Sequence, residues 1–310
     1  MGRRASDKVA ERNLGHSSVR DKIASSQQTW SEQQMADVGA CVATWDDRIA
    51  NTAGRQIRLH MFWKAYSGLI LGGSYSPTNG DGTTSWSYAE RVWRDGVNYD
   101  GPWDGFDTTI SYDTDAAGFN WNFGAENPSG SQIDFRSVVT HEIGHALGFF
   151  DSYDANYNDW GNAWGTESSP YAWAGYRGLT RWDQLLRDDA GNRPSSGGPG
   201  APGDFNERDN PIWFTGTEAV EEYGANVPLY APSTYASGSS LSHLNDAQFP
   251  DALMKHAISL GTVHREPLDV EWAIMRDLGW NIVPEPGAVV LLIGLIGGWL
   301  ALGRRGRSSR

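Results

Sequence analysis

The sequence predicts an α+β domain, and three observations carry that prediction. Segments in the first half alternate apolar and polar residues, the period of a half-buried strand. Two stretches far apart in the chain repeat apolar residues at three- and four-residue steps, the period of a helix with one buried face. Between residues 152 and 240 both periods give way to Gly, Asp, Asn, Trp and Tyr, which predicts a long loop-rich insertion within a domain spanning 30–282.

Residues 1–29 are polar and predict a disordered segment. EQQMADVGACVATWDDRIA (32–50) sets Met35, Val38, Val42, Trp45 and Ile49 on one helix face. RQIRLHMFW (55–63) alternates Ile57, Leu59, Met61 and Trp63, a strand with one face inward. LILGG (69–73) predicts a further strand, which passes into an exposed Gly/Ser/Thr/Asn-rich loop up to residue 87, and residues 88–95 suit a short helix. FDTTISYDT (106–114) and FNWNFG (119–124) read as two more strands, and SQIDFRSVVTHEIGHALGFF then begins a helix. Within the insertion, LTRWDQLLRD is helical and AGNRPSSGGPGAPG (190–203) is a linker. LDVEWAIMRDLGW (268–280) is an amphipathic helix that stops at Gly279.

The chain carries 25 Lys/Arg against 38 Asp/Glu. Six of the basic residues and three of the acidic ones fall in residues 1–29, and four Arg fall in 304–310. The body between them is left with 15 basic and 35 acidic residues, a net of −20, which disfavours nucleic acid and anionic lipid as partners. A single cysteine, Cys41, excludes an internal disulfide framework, and its apolar helical position predicts a buried structural thiol.

The chemistry sits in VVTHEIGHALGFFDSYD (138–154). His141 and His145 lie one helical turn apart on one face, so both imidazoles can reach a single Zn2+ ion. Glu142 lies beside them, placed to take a proton from a water that zinc has made acidic. Val138, Val139, Ile143, Ala146 and Leu147 give the helix a face to bury, and Gly148 can end it in a sharp turn. A zinc site of this kind needs a third protein ligand, and Asp151, three residues after the glycine, is the nearest candidate.

The motif HEIGHALGF resembles that of the metzincin zinc metallopeptidases, with Asp151 where a third histidine is usual. Snapalysin-like peptidases have an aspartate there, which would make Asp151 the ligand. GSSLSHLNDAQFPDALM (238–254), whose His243 comes about 95 residues after the motif, and MRDLGW (275–280) are similar instead to the leishmanolysin-like family. That resemblance implies His243 as third ligand and Met254 as the apolar Met-turn residue beneath the metal, and His243 is preferred over Asp151. It also implies a mixed twisted sheet, an active-site helix and an irregular C-terminal subdomain. FDTTISYDT suits the edge strand that such enzymes run along the cleft. The expected activity is hydrolysis of peptide bonds in a protein or peptide substrate, with Glu142 as general base. The rival expectation is a non-catalytic, zinc-stabilised surface or matrix protein. DSYDANYND and RDDAGN carry oxygen donors that suit Ca2+, though neither matches an EF-hand loop, and a solvated loop is preferred. His16, His60, His256 and His264 are expected to be structural or incidental.

The C-terminal segment 283–310 reads Pro284-Glu285-Pro286, then 17 uncharged residues from Gly287 to Gly303, then an Arg cluster. The span is long enough to cross a bilayer as a helix. The three parts resemble the PEP-CTERM sorting signal of Gram-negative bacteria. That implies export, transient anchoring in the inner membrane, recognition by an exosortase-type enzyme, and a cell-surface or extracellular destination. Residues 1–29 hold no apolar signal-peptide region, so the implied export leads us to expect an incomplete N-terminus.

Overall fold

The computed structural model describes residues 19–23, 30–50, 54–76, 78–80, 84–96, 106–154, 159–160, 179–194 and 211–283. The expectations for most of residues 1–29, for the linker beyond Pro194, and for the PEP-CTERM-like tail with its span 287–303 lie outside the described residues. Among those described, no helix is long and apolar enough to cross a membrane.

In chain order the elements are β1 (Val19–Ile23), α1 (Glu32–Asp46), β2 (Ile57–Lys64), β3 (Gly72–Tyr75), β4 (Thr78–Gly80), β5 (Thr84–Ser87), α2 (Tyr88–Asp95), β6 (Thr108–Asp113), β7 (Asn120–Asn122), β8 (Gln132–Asp134) and α3 (Phe135–Ala146). Beyond α3 the described chain has only two-residue strands and short helices. These are β9 (Tyr153–Asp154), β10 (Asp159–Trp160), β11 (Leu179–Thr180), α4 (Arg181–Gln184), β12 (Leu186–Arg187), β13 (Trp213–Phe214), α5 (Thr217–Tyr223), β14 (Val227–Pro228) and α6 (Asp269–Asp277). The described residues are thus mixed α and β, with their regular structure concentrated before Leu147.

The largest sheet has the order β1-β2-β6-β3, parallel except for β3, which pairs antiparallel with β6. β1 adds to β2 although its sequence is polar, because edge pairing is made by main-chain groups and needs no apolar run. The edge next to α3 also differs from the sequence expectation. Residues 106–114 suit an edge strand, but β6 lies inside the sheet and β3 is the edge. Thr108, Ile110 and Tyr112 of β6 are fully buried, whereas Gly72-Gly73-Ser74 has no apolar side chain to cover.

α1 and α3 cross the buried face of this sheet. Ile57, Leu59 and Met61 of β2 are buried in one core with Val38 and Val42 of α1 and Val139 and Ile143 of α3. Trp45 is wholly buried, donates its indole N–H to the Thr140 carbonyl at 3.0 Å, and meets Trp272 of α6 at 5.1 Å between ring centroids. Cys41 is buried as expected of a structural thiol, its Sγ facing the Arg136 carbonyl at 3.4 Å. Burial pushes that thiol up to about 12, so it stays uncharged. Phe135 opens α3 inside a ring of Trp30, Trp63, Tyr112, Trp121 and Phe123.

The N-terminus of α3 is tied to the far end of the chain. Asp134 caps the helix by accepting the Ser137 N–H at 2.9 Å, and its carboxylate also takes both arms of Arg265. Burial alone would raise its pKa, but Arg265 and Ser137 hold it below the usual carboxylate range. Asp134→Ala removes the cap and strands the Arg265 guanidinium. We expect it to cost about 3–5 kcal/mol in urea denaturation near pH 7, a loss that shrinks as pH falls through the Asp134 pKa.

Candidate metal centre

α3 ends where Gly148 takes a left-handed φ of +111°, which a side chain would strain. A Cβ there would also come within 2.9 Å of Glu90 Oε1, a buried carboxylate of α2. The turn has a second effect. It brings the Phe149 carbonyl back over the helix to accept a hydrogen bond from His145 Nδ1 at 2.6 Å.

The structure brings His141, His145 and His243 together. Their Nε2 atoms lie 3.0, 3.1 and 3.3 Å apart. Each Nδ1 faces a main-chain carbonyl: Leu253 for His141 at 2.8 Å, Phe149 for His145 at 2.6 Å, and Ser239 for His243 at 2.7 Å. A carbonyl only accepts, so every Nδ1 must carry the proton and donate. Every Nε2 therefore presents a lone pair, and the three lone pairs face one another with no proton between them. Burial lowers the pKa of His141 to about 4 and of His145 to about 3, and puts His243 well below the ordinary histidine value. Three neutral donors in mutual contact repel unless a cation sits among them. A tetrahedral zinc site with Zn–N of about 2.0–2.1 Å places its nitrogens about 3.3–3.4 Å apart, so this donor set fits that ion. No other group of three or more His, Cys, Asp or Glu among the described residues is close enough to share an ion.

His243 owes its place to a kinked segment. Leu241 is fully buried yet has φ of +70°, a left-handed conformation that is rare for a bulky residue. Its N–H donates to the Tyr230 carbonyl at 2.9 Å and its carbonyl accepts the Trp182 indole N–H at 3.0 Å. The kink folds Ser239 back onto the ring of His243, four residues later. Asp151 stands outside the histidine cluster. Its carboxylate accepts the Ser242 hydroxyl and the Tyr153 N–H, so it holds the residue next to His243. RDDAGN closes on itself, with Asp188 accepting the Asn192 amides at 2.7 and 2.8 Å.

Met254 has no exposed surface. It packs on α3 where Gly144 has no side chain, and a Cβ there would sit 2.6 Å from its Sδ. Glu142 points the other way, toward the sheet edge. The Ser74 N–H donates to its carboxylate, and a Cβ on Gly72 would meet its Oε1 at 3.0 Å. Its Oε2 is buried without a hydrogen-bond partner among the described residues. Burial pushes Glu142 up to about 8, and a cation beside it would draw it down again.

The other described histidines, His60, His256 and His264, stand apart from the cluster. His60 stacks between Phe62 and Phe106, His256 pairs with Asp246 and stacks on Tyr230, and His264 bonds the Asp251 carbonyl. Sequence reasoning missed the three carbonyls, the Gly72–Ser74 edge and Glu271. Only Glu271 left a signal. It falls three, four and seven residues before Ile274, Met275 and Leu278, a charge on the apolar stripe of its helix. No family model, curated protein or solved structure matches the chain.

Burial raises Glu90, Asp151 and Glu271 to about 7 and Asp183 to about 6. With Glu142 near 8, these groups hold more protons folded than unfolded between their ordinary values and those pKa values, so stability falls as pH rises there. The three histidines act oppositely, but only below their unfolded value of about 6.5. We therefore expect the metal-free chain to lose stability between about pH 6.5 and 8, read as a falling urea midpoint in the presence of a chelator.

Proposed function

We propose that this chain is a zinc-dependent endopeptidase of metzincin-like, leishmanolysin-like architecture. The observation that carries the reading is the set of three converging imidazole lone pairs, two of them on the helix that also carries Glu142, whose buried Oε2 has no hydrogen-bond partner among the described residues. His141, His145 and His243 would hold the ion. When bound, zinc acts as a Lewis acid toward a carbonyl and brings the ionisation of water toward neutral pH. Glu142 takes the proton from the attacking water through Oε2 and returns it to the leaving amine. A metal site that serves structure alone has no use for that free oxygen, which weighs against a purely scaffolding role.

β3 supports the choice of a peptide substrate. Among the described residues it is the edge of the four-stranded sheet, and its Ser74 N–H orients Glu142, so an extended peptide added along it would pass in front of the base. Gly72 and Gly73 keep that approach free of side chains. The acidic body leaves nucleic acid an unsuitable partner. The Pro-Glu-Pro, apolar span and Arg cluster of the C-terminal segment support export, membrane anchoring before processing by an exosortase-type enzyme, and action at the cell surface.

Casein or gelatin digestion by the zinc-loaded chain tests the reading. We expect loss of activity with a chelator, and a fall of at least about 100-fold in Glu142→Ala with zinc still bound. His243→Ala should lose zinc, whereas Asp151→Asn should keep it. Undiminished digestion by Glu142→Ala would contradict the proposal, and zinc binding with no digestion by the wild type would favour the zinc-stabilised surface protein.

A further inference from the structure

Of the buried ionisable groups that this chemistry leaves unused, Glu271 makes the most specific contacts. It lies in the first turn of α6 with no exposed surface. Its Oε2 accepts the Leu268 N–H at 2.6 Å and the Leu253 N–H at 3.3 Å, and its Oε1 accepts the Met254 N–H at 2.5 Å. The bond to Leu268 is the ordinary helix-start bond that Glu or Gln makes at this position. The other two are of a different kind. They reach 18 and 17 residues back along the chain, to the pair of residues that touches His141 and Gly144 of the motif helix. The Leu253 carbonyl is the acceptor for His141 Nδ1, and Met254 is the side chain that fills the space left by Gly144.

We propose that Glu271 is a positioning residue for the metal centre. Its carboxylate pins the Leu253–Met254 main chain, so that the Leu253 carbonyl holds His141 with its proton on Nδ1 and its lone pair toward the ion. The proposal rests on the reading of His141 as a ligand. A carboxyl group without water is unfavourable unless its lone pairs are used, and an apolar residue would fill this stripe position at no such cost. What an apolar residue cannot do is hold two amides from another segment. A Leu253 carbonyl free to move would release His141, and partners of this kind set both the orientation and the basicity of a ligating imidazole.

Glu271→Gln separates this role from helix capping. The carboxamide keeps the size and the capping bond, but it has one acceptor oxygen, and its NH2 would face an N–H donor. Zinc affinity of the full chain is measured by competition with a chromophoric chelator, together with the visible spectrum of the cobalt-substituted protein. We expect Glu271→Gln to keep its far-ultraviolet circular dichroism, to bind zinc about 10–100-fold more weakly, and to shift the cobalt bands. Equal zinc affinity with an unchanged cobalt spectrum overturns the positioning role while leaving the zinc reading intact. A wild-type chain that binds neither metal overturns both. If Glu271→Gln does not fold, amide exchange in the wild type decides. Leu253 and Met254 amides as protected as those of α3 support the role, and exchange at loop rates overturns it.

Discussion

Hydrogen bonds from the Nδ1–H groups of His141, His145 and His243 to the carbonyls of Leu253, Phe149 and Ser239 turn three imidazoles into a set of converging lone pairs. With the protons committed outward, nothing inside the cluster can bridge nitrogens about 3 Å apart. Burial removes the remaining escape, because it opposes protonation of any of the three. The arrangement is strained as a set of histidines and favourable as a cation site. Metal binding would then contribute to the stability of the surrounding fold, since such geometry is absent from the unfolded chain.

Each carbonyl reaches its histidine by a different device, and the fold is largely the sum of these devices. Gly148 turns Phe149 back over α3, and Leu241 accepts a left-handed backbone that returns Ser239 to His243. Leu253 is carried in on a segment anchored at both ends. Glu271 holds its start, and the Ser137 hydroxyl with Asp134 holds His264 and Arg265 beyond it. Asp151 binds Ser242 and Asp183 binds Ser152, which ties the segment after the motif to the His243 loop and to α4. Among the described residues after α3, bonds from buried side chains to main-chain and hydroxyl groups thus take the place of long regular elements. That choice carries a consequence, a reserve of buried carboxyl groups whose ionisation weakens the metal-free fold.

The parts legible in the sequence were those encoded by local period or by a tight motif. The amphipathic spacing of 32–50, the alternation of 55–63 and the His-Glu-x-x-His turn each depend on neighbours a few residues away, and each region has the expected element. His243 was reachable only through resemblance, since nothing within its own ten residues distinguishes it from His256 or His264. β3 was placed in the wrong rank because its role depends on what it lacks. Glycines that admit Glu142 leave no apolar pattern, while the richer pattern of 106–114 belongs to the buried neighbour. The carbonyl partners were illegible in principle, because every residue has one and only the tertiary path decides which is used.

Extended X-ray absorption at the zinc edge of the metal-loaded chain tests the central claim most directly. We predict one zinc per chain with three imidazole nitrogens at about 2.0–2.1 Å, and a first shell that loses one imidazole in His243→Ala but is unchanged in Asp151→Asn. A first shell of two imidazoles and a carboxylate oxygen that disappears in Asp151→Asn would contradict the account.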